Sequence, residues 1–251
     1  MSESERIRAS NREQDRNYGT LHLAMAWGVH LLTASGIVCC LLAMEAGWTK
    51  EWRSAFAWLT LAVMIDAVDG TLARLARVKE VLPNFDGTLL DNTIDYATFV
   101  FVPALLMHRA GLLPEQLSLW MAAAVCVTSA FQFCQADAKT PDHFFKGFPS
   151  YWNITVLYLM ALGLDATTNL AIVGLLIVLV FVPVKYLYPS RTPHFQKCTI
   201  ALTSAWGVMI VAIIWQLPEP WPWLVHASLL YVAYYFAMSL FLTFQGRRER
   251  S

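Results

Sequence analysis

Two short stretches of this 251-residue chain carry carboxylates at spacings that could do chemistry. The first is Asp66-Ala-Val-Asp69-Gly70-Thr-Leu-Ala73-Arg74. The second is Gly87-Thr-Leu-Leu-Asp91-Asn-Thr-Ile-Asp95. Asp66 and Asp69 are three residues apart and Asp91 and Asp95 four apart, so on helices each pair shares a face. Gly87 lies one turn before Asp91 on that same face. Both stretches abut long apolar segments, where a carboxylate is costly and marks a functional site by default. Four acids at the ends of two apolar helices repel one another unless cations neutralise them. Carboxylate oxygens are hard ligands, suited to Mg2+, Mn2+ or Ca2+, and a pair of such ions can clamp a phosphoryl group and its leaving oxygen. Gly70, Ala73 and Gly87 are small enough to let a ligand approach the backbone, and Arg74, one turn after Gly70, can reach a phosphate. The assembly fits phosphoryl-type transfer from a diphosphate donor.

The elements that must hold these residues read as membrane spans. The chain is 57% hydrophobic and only 14% charged, with a mean hydropathy of +0.47, too apolar for an ordinary soluble domain. Ten Trp and nine Tyr suit the interfacial belts of a membrane protein. Apolar runs near 20–44, 54–76, 89–108, 117–136, 152–164, 169–187, 198–216 and 223–244 predict about eight transmembrane helices. The expected class is therefore an all-α integral membrane protein, a polytopic helical bundle. Residues 1–19 form a juxtamembrane segment, 20–246 the membrane domain and 247–251 a basic tail. The first residues are highly charged and the first apolar run is long, which predicts a retained span rather than a cleaved signal peptide.

With the N-terminus inside, 15 of the 18 Lys and Arg residues fall in inside segments, leaving Lys50, Arg53 and Arg109 outside. That bias predicts both termini in the cytoplasm and both acidic stretches at the cytoplasmic side. The zero formal net charge gives no sign of nucleic-acid binding. The five cysteines, Cys39, Cys40, Cys126, Cys134 and Cys198, lack metal-type spacing and read as small hydrophobes. No nucleotide-binding Gly-rich loop, zinc spacing, nucleophile elbow or internal repeat is evident. Two inside segments are rich in aromatic and polar residues: His143 to Asn153, and Tyr186 to Pro193.

Asp-x2-Asp-Gly-x2-Ala-Arg followed by Gly-x3-Asp-x3-Asp resembles the signature of the CDP-alcohol phosphatidyltransferases, with all eight positions present. Twelve residues separate Arg74 from Gly87, longer than the family's common gap and similar to the bacterial phosphatidylcholine synthase branch. The span count and the segment Phe144-Phe-Lys-Gly-Phe-Pro-Ser-Tyr-Trp-Asn153 resemble that branch too. The resemblance implies that Asp66, Asp69, Asp91 and Asp95 bind metal, Mn2+ or Mg2+, as two ions. It implies that Asp95 also acts as general base, beside Asp91. Asp66, Gly70, Ala73, Arg74 and Gly87 would line the cytidine diphosphate pocket. The reaction implied is choline plus CDP-diacylglycerol giving phosphatidylcholine and CMP, in the bacterial inner membrane with the site facing the cytoplasm. A homodimer is implied by analogy alone.

A quaternary ammonium is held by aromatic faces rather than by conventional hydrogen bonds. Phe148, Tyr151 and Trp152 are the first candidates for such a cage, Tyr186 and Tyr188 the second, with Asp142 adding charge. An interfacial aromatic belt competes with the cage for the first three. Lys146 and Arg191 are candidates for the lipid phosphate, a role that the positive-inside bias also accounts for. Within the family the alternatives are serine, glycerol 3-phosphate or inositol acceptors. A prenyltransferase also uses Asp-rich motifs and a diphosphate donor, but the Gly-Ala-Arg pattern does not match. A cation transporter would place its acids near the midplane within inverted repeats.

Overall fold

The chain's fold, a computed structural model, describes residues 18–135, 144–187 and 196–248. Helices α1 (Thr20–Trp48) and α2 (Trp52–Leu75) form a hairpin turned at Thr49–Glu51. The four-residue helix α3 (Val78–Val81) leads to α4 (Gly87–Tyr96). Asp86 starts α4 by accepting the backbone N–H groups of Thr88 (3.0 Å) and Leu89 (2.9 Å). The helix then widens into a π-helical segment, Ala97–Phe101, and continues as α5 (Val102–Arg109). Pro103 accounts for the widening: it offers no N–H to the Phe99 carbonyl and its ring crowds that carbonyl. Next come α6 (Glu115–Cys134), strand β1 (Phe144–Lys146), α7 (Trp152–Leu162), α8 (Ala166–Phe181), strand β2 (Lys185–Leu187), α9 (Gln196–Gln216) and α10 (Pro222–Arg248).

Among the described residues six helices are long and apolar enough to cross a bilayer: Thr20–Trp48, Trp52–Leu75, Gly87–Arg109, Glu115–Cys134, Lys197–Gln216 and Pro222–Phe244. The remaining two apolar runs, expected as spans, form the shorter helices α7 and α8, of 11 and 16 residues. At about 1.5 Å per residue neither reaches across a hydrocarbon core of about 30 Å. Local chemistry sets their ends. Gly163 (φ 59) closes α7, and Asp165 caps α8 by accepting the N–H groups of Thr167 and Thr168, both at 3.0 Å. The Thr168 hydroxyl and amide together hold the Asp165 carboxyl below its ordinary range. Val182 turns extended ahead of Pro183, which ends α8 short of the expected residue 187.

The fold also contains an antiparallel β ribbon that the all-α expectation lacked, with Phe144 opposite Leu187 and Lys146 opposite Lys185. It joins the start of α7 to the end of α8, and the Lys185 N–H donates to Thr243 of α10 at 2.9 Å. Gly147, at φ 82, follows the ribbon, and a Cβ there would fall on the Val180 carbonyl, so only glycine fits.

Helix α1 packs through small buried residues: Ala26, Thr33, Gly36, Cys40, Ala43 and Gly47. Small residues let membrane helices approach closely where lipid offers no hydrophobic drive between them. A Cβ on Gly36 would lie 2.7 Å from the Ile94 side chain, and one on Gly47 would strike Leu106, so α1 rides directly on α4–α5. Leu31, Trp120, Val208 and Leu230 point outward and exposed, as lipid-facing residues do. Trp48 stacks on Arg109 (4.2 Å) and Trp215 on Arg53 (5.4 Å) at the helix ends remote from the acidic stretches.

Candidate active site

The hairpin α1–α2 and the helix α4–α5 bring the two acidic stretches together. Asp66 of α2 and Asp91 and Asp95 of α4 are half-buried, and each offers a carboxylate oxygen within 4.8 Å of the others. Asp69, one turn beyond Asp66, is buried in the same pocket, and its Oδ2 accepts the Thr33 hydroxyl at 2.6 Å. Asp69 lies outside the group of three that converges within that distance. Ala62, Ile65, Ile94 and Thr98 complete the pocket walls around a space of about 10 Å3, close to the volume one water needs. Hard oxygen donors around a space of that size fit a small divalent cation.

The rest of the motif surrounds this pocket. A Cβ on Gly87 would meet the His30 ring at 2.6 Å, so glycine here lets α4 close on α1. His30 is buried beside Phe85, with ring centroids 4.3 Å apart. A Cβ on Gly70 would have only the Arg74 guanidinium near it, at 3.8 Å. Arg74 is exposed and donates to Thr71 Oγ1 at 2.9 Å. Ala73 packs against the small cluster of Ala26, Val29, Ala76, Val78 and Val81.

Sequence reasoning passed over Thr33, His30, Thr98 and Asp86. Asp86 carried a signal, a capping residue immediately before the helical motif. Thr33, His30 and Thr98 are single polar residues inside apolar runs and gave none.

The aromatic candidates separate into two groups. Phe148 and Tyr151 line a large chamber of about 620 Å3 beside the acidic pocket. Trp152 and Tyr186 stand behind that wall. Trp152 is fully buried and its indole N–H donates to Ser129 Oγ at 2.8 Å. Ser150 donates to the same Ser129 oxygen at 3.0 Å, and Gln132 donates to the Phe148 carbonyl. Phe148 meets Trp152 edge-on at 5.5 Å and Tyr186 at 6.4 Å, while Tyr186 stacks on Tyr235 at 6.1 Å. Phe99, one turn after Asp95, packs against Tyr151 at 6.0 Å and lines the chamber too. Lys146 sits on β1, opposite Lys185. Asp142, Tyr188 and Arg191 lie outside the described residues.

The chamber and the acidic pocket share walls. Thr60 and Val63 of α2 face the chamber, and Ala62, Ile65 and Asp66 of the same helix face the pocket. Thr98 and Phe99 divide in the same way between them.

No family profile matches the chain. Curated proteins do. A phosphatidylcholine synthase of Legionella pneumophila is 40% identical over 226 residues, 87% of this chain and 89% of its own. One of Legionella bozemanae is 45% identical over 204 residues, 78% of this chain and 94% of its own. One of Pseudomonas aeruginosa is 40% identical over 220 residues, 88% of this chain and 92% of its own. Identity at this level across nearly whole chains, together with the eight-residue signature, settles the relationship: the chain belongs to the phosphatidylcholine synthase family of CDP-alcohol phosphatidyltransferases.

Proposed function

We propose that this protein is a phosphatidylcholine synthase, transferring the phosphatidyl group of CDP-diacylglycerol to choline and releasing CMP. The observation that carries the reading is a juxtaposition. Of three converging carboxylates, Asp95 lies one helical turn before Phe99, which lines the chamber with Phe148 and Tyr151. The carboxylates suit a metal-bound diphosphate and the aromatic rings a quaternary ammonium.

Asp66, Asp91 and Asp95 would hold Mn2+ or Mg2+, with Asp69 joining a two-ion site once its Thr33 contact rearranges. The bound ions supply neutralisation of the diphosphate charge. Asp95 accepts the proton of the choline hydroxyl. The freed oxygen forms a bond to the lipid-side phosphorus as the bond to the CMP oxygen breaks. Gly70, Ala73 and Gly87 leave room for the nucleotide, and Arg74 swings from Thr71 to a phosphate oxygen. Tyr151, Phe148 and Phe99 present ring faces to the trimethylammonium, while Trp152 and Tyr186 hold those rings in place. Lys146, on β1, would meet the lipid phosphate. The Lys/Arg bias supports a site open to the cytoplasm of a bacterial inner membrane, and six spans, like eight, return both termini to one side.

The test separates acceptor from donor. Replacing Tyr151 with Ala removes one cation–π face, an interaction of about 0.5–2 kcal/mol. The expected result is a choline KM raised about tenfold, with the KM for CDP-diacylglycerol within twofold of wild type and Tyr151→Phe close to normal. Equal rises in both constants would overturn the aromatic assignment.

A further inference from the structure

The chamber beside the carboxylates is far larger than a choline headgroup needs. Its volume of about 620 Å3 is that of a site for a sizeable ligand. Its walls come from six elements, α2, the π-helical segment, α7, α8, α9 and α10, whose directions give it an axis. Val63, Phe99, Phe148, Tyr151 and Phe236 surround the end next to the acidic pocket; Phe56, Leu162 and Ile214 lie at the other. The wall runs from Thr203 to Ile214 along α9 and from Tyr151 to Leu162 along α7. At about 1.5 Å per residue the depth is about 16 Å, roughly half of a hydrocarbon core of about 30 Å. A cavity with these proportions is one leaflet deep.

The polar atoms in the wall largely satisfy one another. Tyr158 donates to Ser228 at 2.8 Å and accepts the Trp206 indole N–H at 2.9 Å, and Thr203 bonds Tyr231 at 2.7 Å. Among the described lining residues the exception is Asn153, which keeps a buried amide oxygen without a hydrogen-bond partner. Asn153 is at the start of α7, the end nearest the carboxylates. The chamber is thus an apolar shaft whose polar wall atoms are largely paired. Apolar cavities stay dry and take apolar ligands.

We propose that this chamber receives one acyl chain of the donor lipid and that its floor, Phe56, Leu162 and Ile214, gauges the length of that chain. The proposal rests on the donor being CDP-diacylglycerol. A chain seated here brings its glycerol end past Asn153 and its diphosphate toward Asp66, Asp91 and Asp95. The chain leaves lipid rather than water, so what favours a chain that fills the shaft is packing of its methylenes against the wall.

Gly207 gives a clean probe. It lines the shaft on α9, and a Cβ added there meets no atom within 4 Å, so a larger side chain fills the shaft without striking backbone. The measurement is the equilibrium Kd of purified full-length protein in detergent with Mn2+, for CDP-dipalmitoylglycerol and for CDP-dihexanoylglycerol, without acceptor. Gly207→Phe should weaken the long-chain donor at least tenfold and leave the short-chain donor within twofold. Leu162→Ala, which deepens the floor, should shift preference from the palmitoyl toward the stearoyl donor. Equal effects of Gly207→Phe on both donors, or no effect from either variant, would overturn the proposal. So would a rise in choline KM without a change in donor Kd, which would assign the chamber to the acceptor. Wild-type protein that binds both donors yet releases no CMP with choline would defeat the acceptor reading alone. Protein that binds neither donor would defeat both.

Discussion

Replacing Asp95 with Asn will lower choline-dependent CMP release by roughly 10²–10⁴-fold, the range a positioned general base contributes. The substitution keeps the side chain's shape and a hydrogen-bonding oxygen, so helix α4 and its packing on α1 survive. What it removes is the charge that shares the pocket with Asp66 and Asp91 and that, in the proposed mechanism, takes the hydroxyl proton. The loss should fall on kcat, with donor Kd changed by much less. Asp91→Asn and Asp66→Asn should instead raise the metal concentration needed for half-maximal rate, because a carboxylate is the better ligand for a hard cation. A variant with Asp95→Asn that turns over at more than a tenth of the wild-type rate would remove Asp95 from the base role.

Metal removal should have the second large effect. Protein treated with EDTA and desalted is expected to lose at least 99% of its CMP release, an estimate set by the several kcal/mol that a metal contributes to charge stabilisation. Added Mn2+ or Mg2+ should restore it. A readout free of turnover accompanies this: the ion should raise the apparent Tm of the stripped protein in proportion to the logarithm of its concentration, since it binds the folded state. The shift should vanish in the Asp66→Asn and Asp91→Asn double variant. Full activity after stripping would leave the converging carboxylates without their assigned role.

Much of the site was legible because helical spacing is a local property. Asp66 and Asp69, and Asp91 and Asp95, share faces whatever surrounds them, and the structure gathers Asp66, Asp91 and Asp95. What was not legible depends on pairs distant in sequence. The Thr33 contact with Asp69 joins residues 36 apart, and the fit of Gly87 against His30 exists only because α1 lies on α4. The aromatic run Tyr151-Trp152 shows the limit at single-residue scale. Adjacent residues at a helix start point to different sides, so Tyr151 lines the chamber while Trp152 is sealed against Ser129. Hydropathy alone found the apolar runs but not their lengths as helices. Gly163, Asp165 and Pro183 cut α7 and α8 short, and the β ribbon pairs Phe145 with Tyr186, segments that no local pattern links.

The most direct test of the central claim is an acceptor screen on the purified protein with CDP-diacylglycerol and Mn2+, following CMP release with choline, serine, inositol, glycerol 3-phosphate or no acceptor. The account predicts release that requires choline, equimolar incorporation of labelled choline into lipid, and loss of both in Asp95→Asn. CMP release driven equally by another acceptor, or release that ignores choline, would contradict it.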